Sequence, residues 1–331
     1  MKKKSGISFL ILAALLFACP AMAEDYRLNL IKKFYSMGTA SINGTYYPVG
    51  NSIARLFSKK MRGMVVLAEP TPGSVANIEY LRRGQIDLAL IQSDVAWQAF
   101  NGTHSFAKNR YRELRILASL YSEVIQIIVR SDSEIRTIRD LRGKKISVGE
   151  RDSGSAASVM LVLEAAGLER NEYTLVYERF TRATESLNDG YVDAVYYAGG
   201  VPADGIARLA EKSGIRLVSV PQDVRASILA KFPYFTSEVI VRGTYKGLGS
   251  EVSTVGFRAL LVGSESIPAF EISLMLPILF DNVALISDNS QKNIQLRLDD
   301  ALKGVEASML HEAALKFYTA QGLIEPASAA K

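Results

Sequence analysis

Tyr35-Ser-Met-Gly38-Thr-Ala-Ser41-Ile-Asn43-Gly44-Thr45 and Ile146-Ser-Val-Gly149-Glu-Arg151-Asp-Ser153-Gly154-Ser155 are two versions of one pattern, about 110 residues apart. Each follows a short apolar segment and opens a helical pattern, Tyr46 to Phe57 in the first case and Ala156 to Ala166 in the second. Glycines let the backbone turn tightly and come close to a ligand, and the free N–H groups and dipole of a helix N-terminus favour negative charge. Two facing lobes, each offering one such loop, make a cleft for a small anion. A second echo lies at nearly the same offset: Leu81-Arg-Arg-Gly84-Gln-Ile-Asp87-Leu-Ala-Leu-Ile against Leu187-Asn-Asp-Gly190-Tyr-Val-Asp193-Ala-Val-Tyr-Tyr. Both are a helix end, a Gly stop and an apolar strand. Two matches at one offset predict a two-lobed protein.

Outward from these loops, strand-like runs alternate with helical patterns. Strands are predicted at Arg27–Ile31, Val65–Ala68, Ile86–Gln92, Ile116–Leu120, Val124–Val129, Lys145–Val148, Val192–Tyr196 and Leu217–Val220. Helices are predicted at Ser74–Arg83, Ser155–Ala166 and Thr184–Asp189. The alternation gives an α/β fold with largely parallel sheets, of the bilobal periplasmic-binding-protein kind (type II-like). The apolar run Leu117–Arg130 is long for one strand and has Tyr121-Ser122-Glu123 as a natural bend, so it reads as the crossing into the second lobe. A return crossing is expected near Thr254–Val262, followed by a helical segment after Pro268 that closes on lobe I. The expected division is residues 24–120 plus 253–331 for lobe I and 121–252 for lobe II.

The first residues read as an export signal: Lys2-Lys3-Lys4, an apolar stretch from Ile7 to Ala18, and Ala21-Met22-Ala23 as the cleavage site. The mature chain then begins near Glu24 and has about 308 residues, enough for two modest domains. Lipid anchoring at Cys19 is the competing reading, weakened by Phe17 in the residues before it. Without the three signal lysines, 36 basic residues face 34 acidic ones, a net charge of about +2. No basic stripe interleaved with aromatics is present, and nucleic-acid binding drops out. Cys19 is the single cysteine, so a mature chain cut after Ala23 has no disulfide, thiolate nucleophile or Cys-ligated metal. The two histidines, His104 and His311, lack metal-ligand spacing, and no Gly-x-Ser-x-Gly stretch points to a hydrolase. The expectation is a binding protein without cofactor or metal, monomeric and periplasmic.

Candidate ligand contacts follow from loop and strand-end positions. Gly38, Thr39, Ser41 and Asn43 form the first loop, and Tyr46 opens the helix after it. Ser74 and Asn77 begin the next helix, as a plain helix cap or as a cap that also meets ligand. Gln92 ends a buried-looking strand, where ligands of open α/β sheets bind. Asp94 either faces the site or caps the helix bearing Trp97, itself read as core. Ser153, Gly154 and Ser155 can cradle a carboxylate, with Gly199 near the cleft at a strand end. Arg151 offers a planar fork for an ion pair, with Arg182 as its rival and surface pairing as the plainer alternative.

At these residues the chain resembles the TAXI-type solute receptors of TRAP transporters. The matching pieces are Gly38-Thr, Asn43-Gly-Thr-Tyr-Tyr-Pro48, Pro72-Gly-Ser-Val-Ala-Asn77 and Gly84-Gln-Ile-Asp-Leu-Ala-Leu-Ile-Gln-Ser-Asp94. They continue with Leu141-Arg-Gly-Lys-Lys, Ser153-Gly-Ser155, Gly199-Gly-Val-Pro202 and Leu310-His-Glu-Ala-Ala-Leu-Lys-Phe-Tyr318. The resemblance implies an exported receptor that delivers a glutamate-like amino acid or a dicarboxylate to integral-membrane TRAP permease subunits. Two departures stand out: His311-Glu-Ala-Ala314 replaces the family's His-Pro-Gly-Ala, and the second loop carries charged Glu150-Arg151-Asp152 where small residues are common. The alternatives are an ABC-importer receptor on a similar scaffold and, further off, an exported hydrolase.

Overall fold

The computed structural model describes residues 33–290 and 294–325. The signal, Cys19 and the strand expected at Arg27–Ile31 lie outside the described residues. In chain order the first half is built from β1 (Lys33–Gly38), α1 (Tyr46–Lys60), β2 (Met64–Glu69), α2 (Ser74–Arg82), β3 (Leu88–Gln92) and α3 (Ser93–Asn101). Strand β4 (Leu114–Arg130) then crosses over. The second half comprises β5 (Lys145–Ser147), α4 (Gly154–Ala165), β6 (Thr174–Val176), α5 (Phe180–Asn188), β7 (Ala194–Gly199), α6 (Asp204–Ser213), β8 (Ile215–Val218), α7 (Gln222–Lys231) and β9 (Thr236–Ile240). Strand β10 (Val252–Ser264) returns, and α8 (Ala269–Phe280), α9 (Val283–Ser290) and α10 (Glu312–Ala320) complete the chain.

The strand order is β2-β1-β3-β10-β4-β7-β5-β6, with β8 also on β4 and β9 also on β10. Within each half the neighbours β2-β1-β3 and β6-β5-β7 are parallel. All pairings of β4 and β10 are antiparallel. The sheet is therefore mixed, a correction to the largely parallel expectation, because the chain crosses between halves twice in opposite directions. At the expected bend the strand continues, with Ser122, Glu123 and Val124 paired in succession to Arg258, Phe257 and Gly256, and an irregularity lies at its edge, where Leu120 is skipped between Tyr121 and Ser119. The register slips there, beside Leu260, and again between Leu261 and Val262.

The sequence echo has a physical basis. Gly84 and Gly190 both adopt left-handed backbone, at φ 64° and 74°, and turn the chain from helix to strand. Three residues later Asp87 accepts a hydrogen bond from Ser36 N at 2.8 Å, and Asp193 accepts one from Lys145 N at 2.8 Å. The main-chain N–H of each aspartate answers with a bond to the same residue's carbonyl, at 3.0 and 2.8 Å. One device thus aligns β3 on β1 and β7 on β5, setting Met37 beside Leu88 and Ile146 beside Ala194.

Burial follows the division. One apolar core joins α1–α3 and β1–β3 to α8–α10, so the C-terminal helices pack on the first half. The second half has separate cores on the two faces of its sheet. His311 belongs to the first core: its Nδ1 accepts from Ala313 N and caps α10, and its Nε2 lies 3.1 Å from the Ile267 carbonyl. Burial lowers its pKa, in keeping with a neutral ring. Among the described residues no group of His, Cys, Asp and Glu is placed to hold a metal.

Replacing Asp87 or Asp193 by Ala should each destabilise by about 1 kcal/mol, the ordinary worth of one exchanged hydrogen bond. The two losses should add, since distant sites act independently. Urea denaturation of the single and double variants checks both points.

Candidate functional site

Between the halves lies a cavity of about 90 Å³. Since a water needs roughly 10–15 Å³ of such space, the cavity has room for about six water-sized groups, a small solute. Its walls come from Ser41, Thr45, Tyr46, Gly73 and Ser74 on one side and Ser153–Ser155, Phe180 and Tyr196–Ala198 on the other. Gln92 and the acids Glu123 and Glu150 also line it.

The halves touch directly around it. Ala76 N donates to the Asp152 carbonyl at 3.1 Å, joining the start of α2 to the loop before α4. A Cβ on Gly73 would lie 3.3 Å from Ser153 Cα, and Gly73 has φ 130°, where L side chains are strained. A Cβ on Gly154 would lie 2.2 Å from Gln92 Oε1. These two glycines let the N-termini of α2 and α4 converge. Ser93 Oγ donates to the Tyr234 carbonyl at 3.2 Å, and Trp97 packs at 5.3 Å against the Tyr234 ring. Trp97, expected in a core, is half-buried where α3 meets the second half.

Three serines at this junction share one state. Ser74 Oγ accepts from Gln92 N at 3.1 Å, Ser153 Oγ from Ala156 N at 3.2 Å, and Ser155 Oγ from Ala198 N at 3.0 Å. A serine hydroxyl has one O–H and two lone pairs, so each has a proton to donate, which Ser74 shares with Tyr46 Oη. Three hydroxyl donors and two helix N-termini therefore meet at the cavity, a set that suits a carboxylate without any basic side chain. Among the described residues no Lys or Arg lines the cavity.

Opposite in character stands Glu123, at the midpoint of β4 and 3 % exposed. Tyr46 Oη donates to its Oε2 at 2.5 Å. Burial pushes its pKa up to about 8; the Tyr46 hydrogen bond and the Arg258 charge pull the other way, and the Asp94 charge adds to the rise. Asp94, wholly buried at the start of α3, is raised to about 7 by the same desolvation. Asp94 is not part of the lining.

The sequence candidates divide into three groups. Ser41, Tyr46, Ser74, Gln92, Ser153, Gly154 and Ser155 line the cavity. Gly38, Thr39 and Asn77 sit behind it as a frame: Asn77 Nδ2 donates to the carbonyls of Thr39 and Leu90, its Oδ1 accepts from Thr71, and Thr39 Oγ1 donates to the Glu69 carbonyl. A Cβ on Gly38 would meet Asn77 Oδ1 at 2.7 Å, which explains the glycine by packing. Gly199 is buried at the end of β7, also outside the lining. Asn43 and Arg151 are exposed and lie away from it. Arg151 stacks at 4.4 Å over the Tyr177 ring, and its rival Arg182 pairs with Glu185 on the surface. Arg151 and Asp152 thus turn their charge outward, while Glu150 stays at the cavity wall. Ser74 also differs in detail from the cap expected of it: Gly73 is the N-cap, and Ser74 holds β3 instead.

Sequence reasoning passed over Glu123, Phe180 and Tyr196–Tyr197. Glu123 carried a signal, a lone acid within the apolar run Leu117–Arg130 that had been read as a bend. The aromatic residues carried none beyond their place at strand and helix ends.

Two α/β halves joined by crossing strands, with a cavity at the seam, define the class: a bilobal periplasmic-binding-protein fold. The chain belongs to the NMT1-like family, whose model matches residues 37–322. Solved structures agree on the fold. A Xanthomonas citri protein bound to ATP has 12% identity and a TM-score of 0.54, with 88% of this chain and 99% of that one covered. A structure described under glutathione import via GshT and the cystine ABC importer TcyBC of Streptococcus mutans has 13% identity and a TM-score of 0.53, covering 81% and 99%.

Two outcomes follow from this geometry. Gly154→Ala should weaken solute binding more than tenfold by displacing Gln92 into the cavity, read by calorimetry with whichever solute binds the parent. Glu123, with its folded pKa raised from roughly 4.3 to about 8, contributes stability that is complete below pH ~4.3 and lost as pH rises through 8. Glu123→Gln keeps the acceptor for Tyr46 and should remove this part of the slope, leaving the variant more stable than the parent at pH 9.

Proposed function

We propose that the chain is an exported, non-enzymatic solute receptor that closes its two halves around a small amino acid and hands it to a membrane permease. The observation that carries this reading is the polarity of the cavity: hydroxyl and helix-end donors at the α2–α4 junction, and the buried carboxyl of Glu123 in the same small space. A ligand carboxylate suits the first and a ligand ammonium the second. Charge-assisted hydrogen bonds contribute about 1.5–3 kcal/mol each, and micromolar binding needs about −8 kcal/mol, so a handful of contacts is enough. A ligand that touches both halves favours their closed arrangement by its extra affinity for that state. Dicarboxylates are the less favoured cargo, since a second carboxylate would meet an acid and no base.

Export rests on the basic, apolar and small-residue segments before Glu24. The resemblance to TAXI-type receptors supports a TRAP-type secondary permease as the recipient. An ABC importer is the second reading, favoured by the importer named with the Streptococcus mutans structure. A neighbouring gene for an ATPase or for a TRAP permease would decide between them.

The test is calorimetry near pH 7 on protein unfolded and refolded free of ligand, with glutamate, glutamine, smaller amino acids, 2-oxoglutarate and succinate. An amino acid should bind, and its ammonium should ionise Glu123 and release a proton. The apparent enthalpy would then differ between buffers of different ionisation heat, and Glu123→Gln would abolish the difference. Ser153→Ala with Ser155→Ala should weaken binding at least tenfold. Binding of dicarboxylates alone, with no proton released, would overturn the amino-acid assignment.

A further inference from the structure

A second and larger pocket, of about 740 Å³, opens at the crossing strands. Thr45 lines both spaces, and Gly200 lies against it, where a Cβ would sit 3.0 Å from Thr45 Oγ1. The pocket is walled by Ser122, Arg258, Asp300 and Lys303 on one side and by Gly200–Pro202 and Thr236–Val239 on the other. An occupant would therefore touch both halves.

Arg258 is the unusual group here. It lies on β10 opposite Ser122 and is only 4 % exposed. Its Nε donates to Ser119 Oγ at 2.9 Å and its Nη1 to Ser122 Oγ at 3.0 Å, while its main-chain N donates to Ser93 Oγ at 3.1 Å. Nη2 is buried and has no partner among the described residues. A guanidinium carries five N–H donors in a planar fork, and two neutral hydroxyls engage only two of them. No carboxylate among the described residues forms an ion pair with it. Asp300 is bonded to Lys303 at 2.8 Å, and Glu238 accepts from Thr236 at 2.8 Å. The charges of Asp300, Glu238 and Glu123 act on it without reaching ion-pair contact, so its burial is only partly compensated, and a docked anion offsets the remainder.

We propose that this pocket is a second binding site, for a small oxyanion drawn to the Arg258 guanidinium that lines it, with Lys303 beside it. The fork fits the two oxygens of a carboxylate, sulfate or phosphate. Asp300 and Glu238 moderate the potential and make the site a weak one. Because the site draws on both halves, its anion and the cavity's solute favour the same arrangement, and by linkage each raises the other's affinity by one factor. The site itself stands apart from the proposed solute site; only this coupling rests on that reading.

The experiment is thermal denaturation of the full chain at constant ionic strength, with chloride replaced in turn by sulfate, phosphate and acetate. At least one should give a saturating rise in Tm, distinct from the unsaturated stabilisation that excluded salts produce. Arg258→Gln should abolish the saturating part. Lys303→Gln, at an exposed side chain that leaves packing intact, should weaken it threefold or more. Ser153→Ala with Ser155→Ala should leave it in place while weakening solute binding. The proposal is overturned by no saturating response in the parent up to about 50 mM, or by a response unchanged in Lys303→Gln, which decides the matter if Arg258→Gln does not fold. Loss of the response in the serine variant alone would move the anion to the cavity and also overturn it.

Discussion

The pairing of β4 with β10 is the constraint on which the rest depends. These strands are the only long ones, at 17 and 13 residues among the described elements, and each belongs to both halves. At their centre Glu123 and Phe257 lie opposite one another, with Ser122 beside Arg258. Successive residues of a strand face opposite sides, so adjacent Ser122 and Glu123 serve different spaces, the hinge pocket and the cavity. One ladder thus fixes an acid and a base within the seam between halves, each desolvated and each short of a full partner. The ladder is irregular near Ala259 to Val262, where its register shifts twice.

The cavity shows how an anion-accepting set arises without cations. Each serine hydroxyl is oriented by a main-chain N–H that occupies a lone pair, and each of those N–H groups is fixed by a strand or helix end. Order in the scaffold becomes direction in the donors, so little is lost in organising them when ligand binds. Of the charged loop residues Arg151 and Asp152 turn outward, whereas Glu150 lines the cavity and reaches Arg179 rather than Arg151. Their departure from the small residues common in similar receptors therefore changes the rim of the cleft more than its floor.

Repetition within the chain explains why the two loops can face each other. The same aspartate-to-amide clamp aligns the first and third strands of each half, and the same Gly stop precedes it. Each half therefore projects its loop from equivalent places, and antiparallel crossing strands bring the projections together. Identity of roughly one residue in eight with the structures that share the fold agrees with this, since clamps, stops and apolar periods need few particular residues.

The sequence by itself determined the α/β class, the double crossing and the paired loops, because local chemistry writes these: glycines where φ is positive, apolar runs at strand spacing, serines at helix starts. It also placed most of the serine lining, through loop position alone. What it left open was decided by tertiary structure. Asn77 and Thr39 became frame rather than contact because their amide and hydroxyl were consumed by buried carbonyls. Arg151 was turned away by the face of Tyr177, and Glu123 was set at the cavity by its pairing with Phe257. Whether a side chain meets ligand depends on which partners have already claimed its hydrogen bonds, and those partners lie tens to hundreds of residues away.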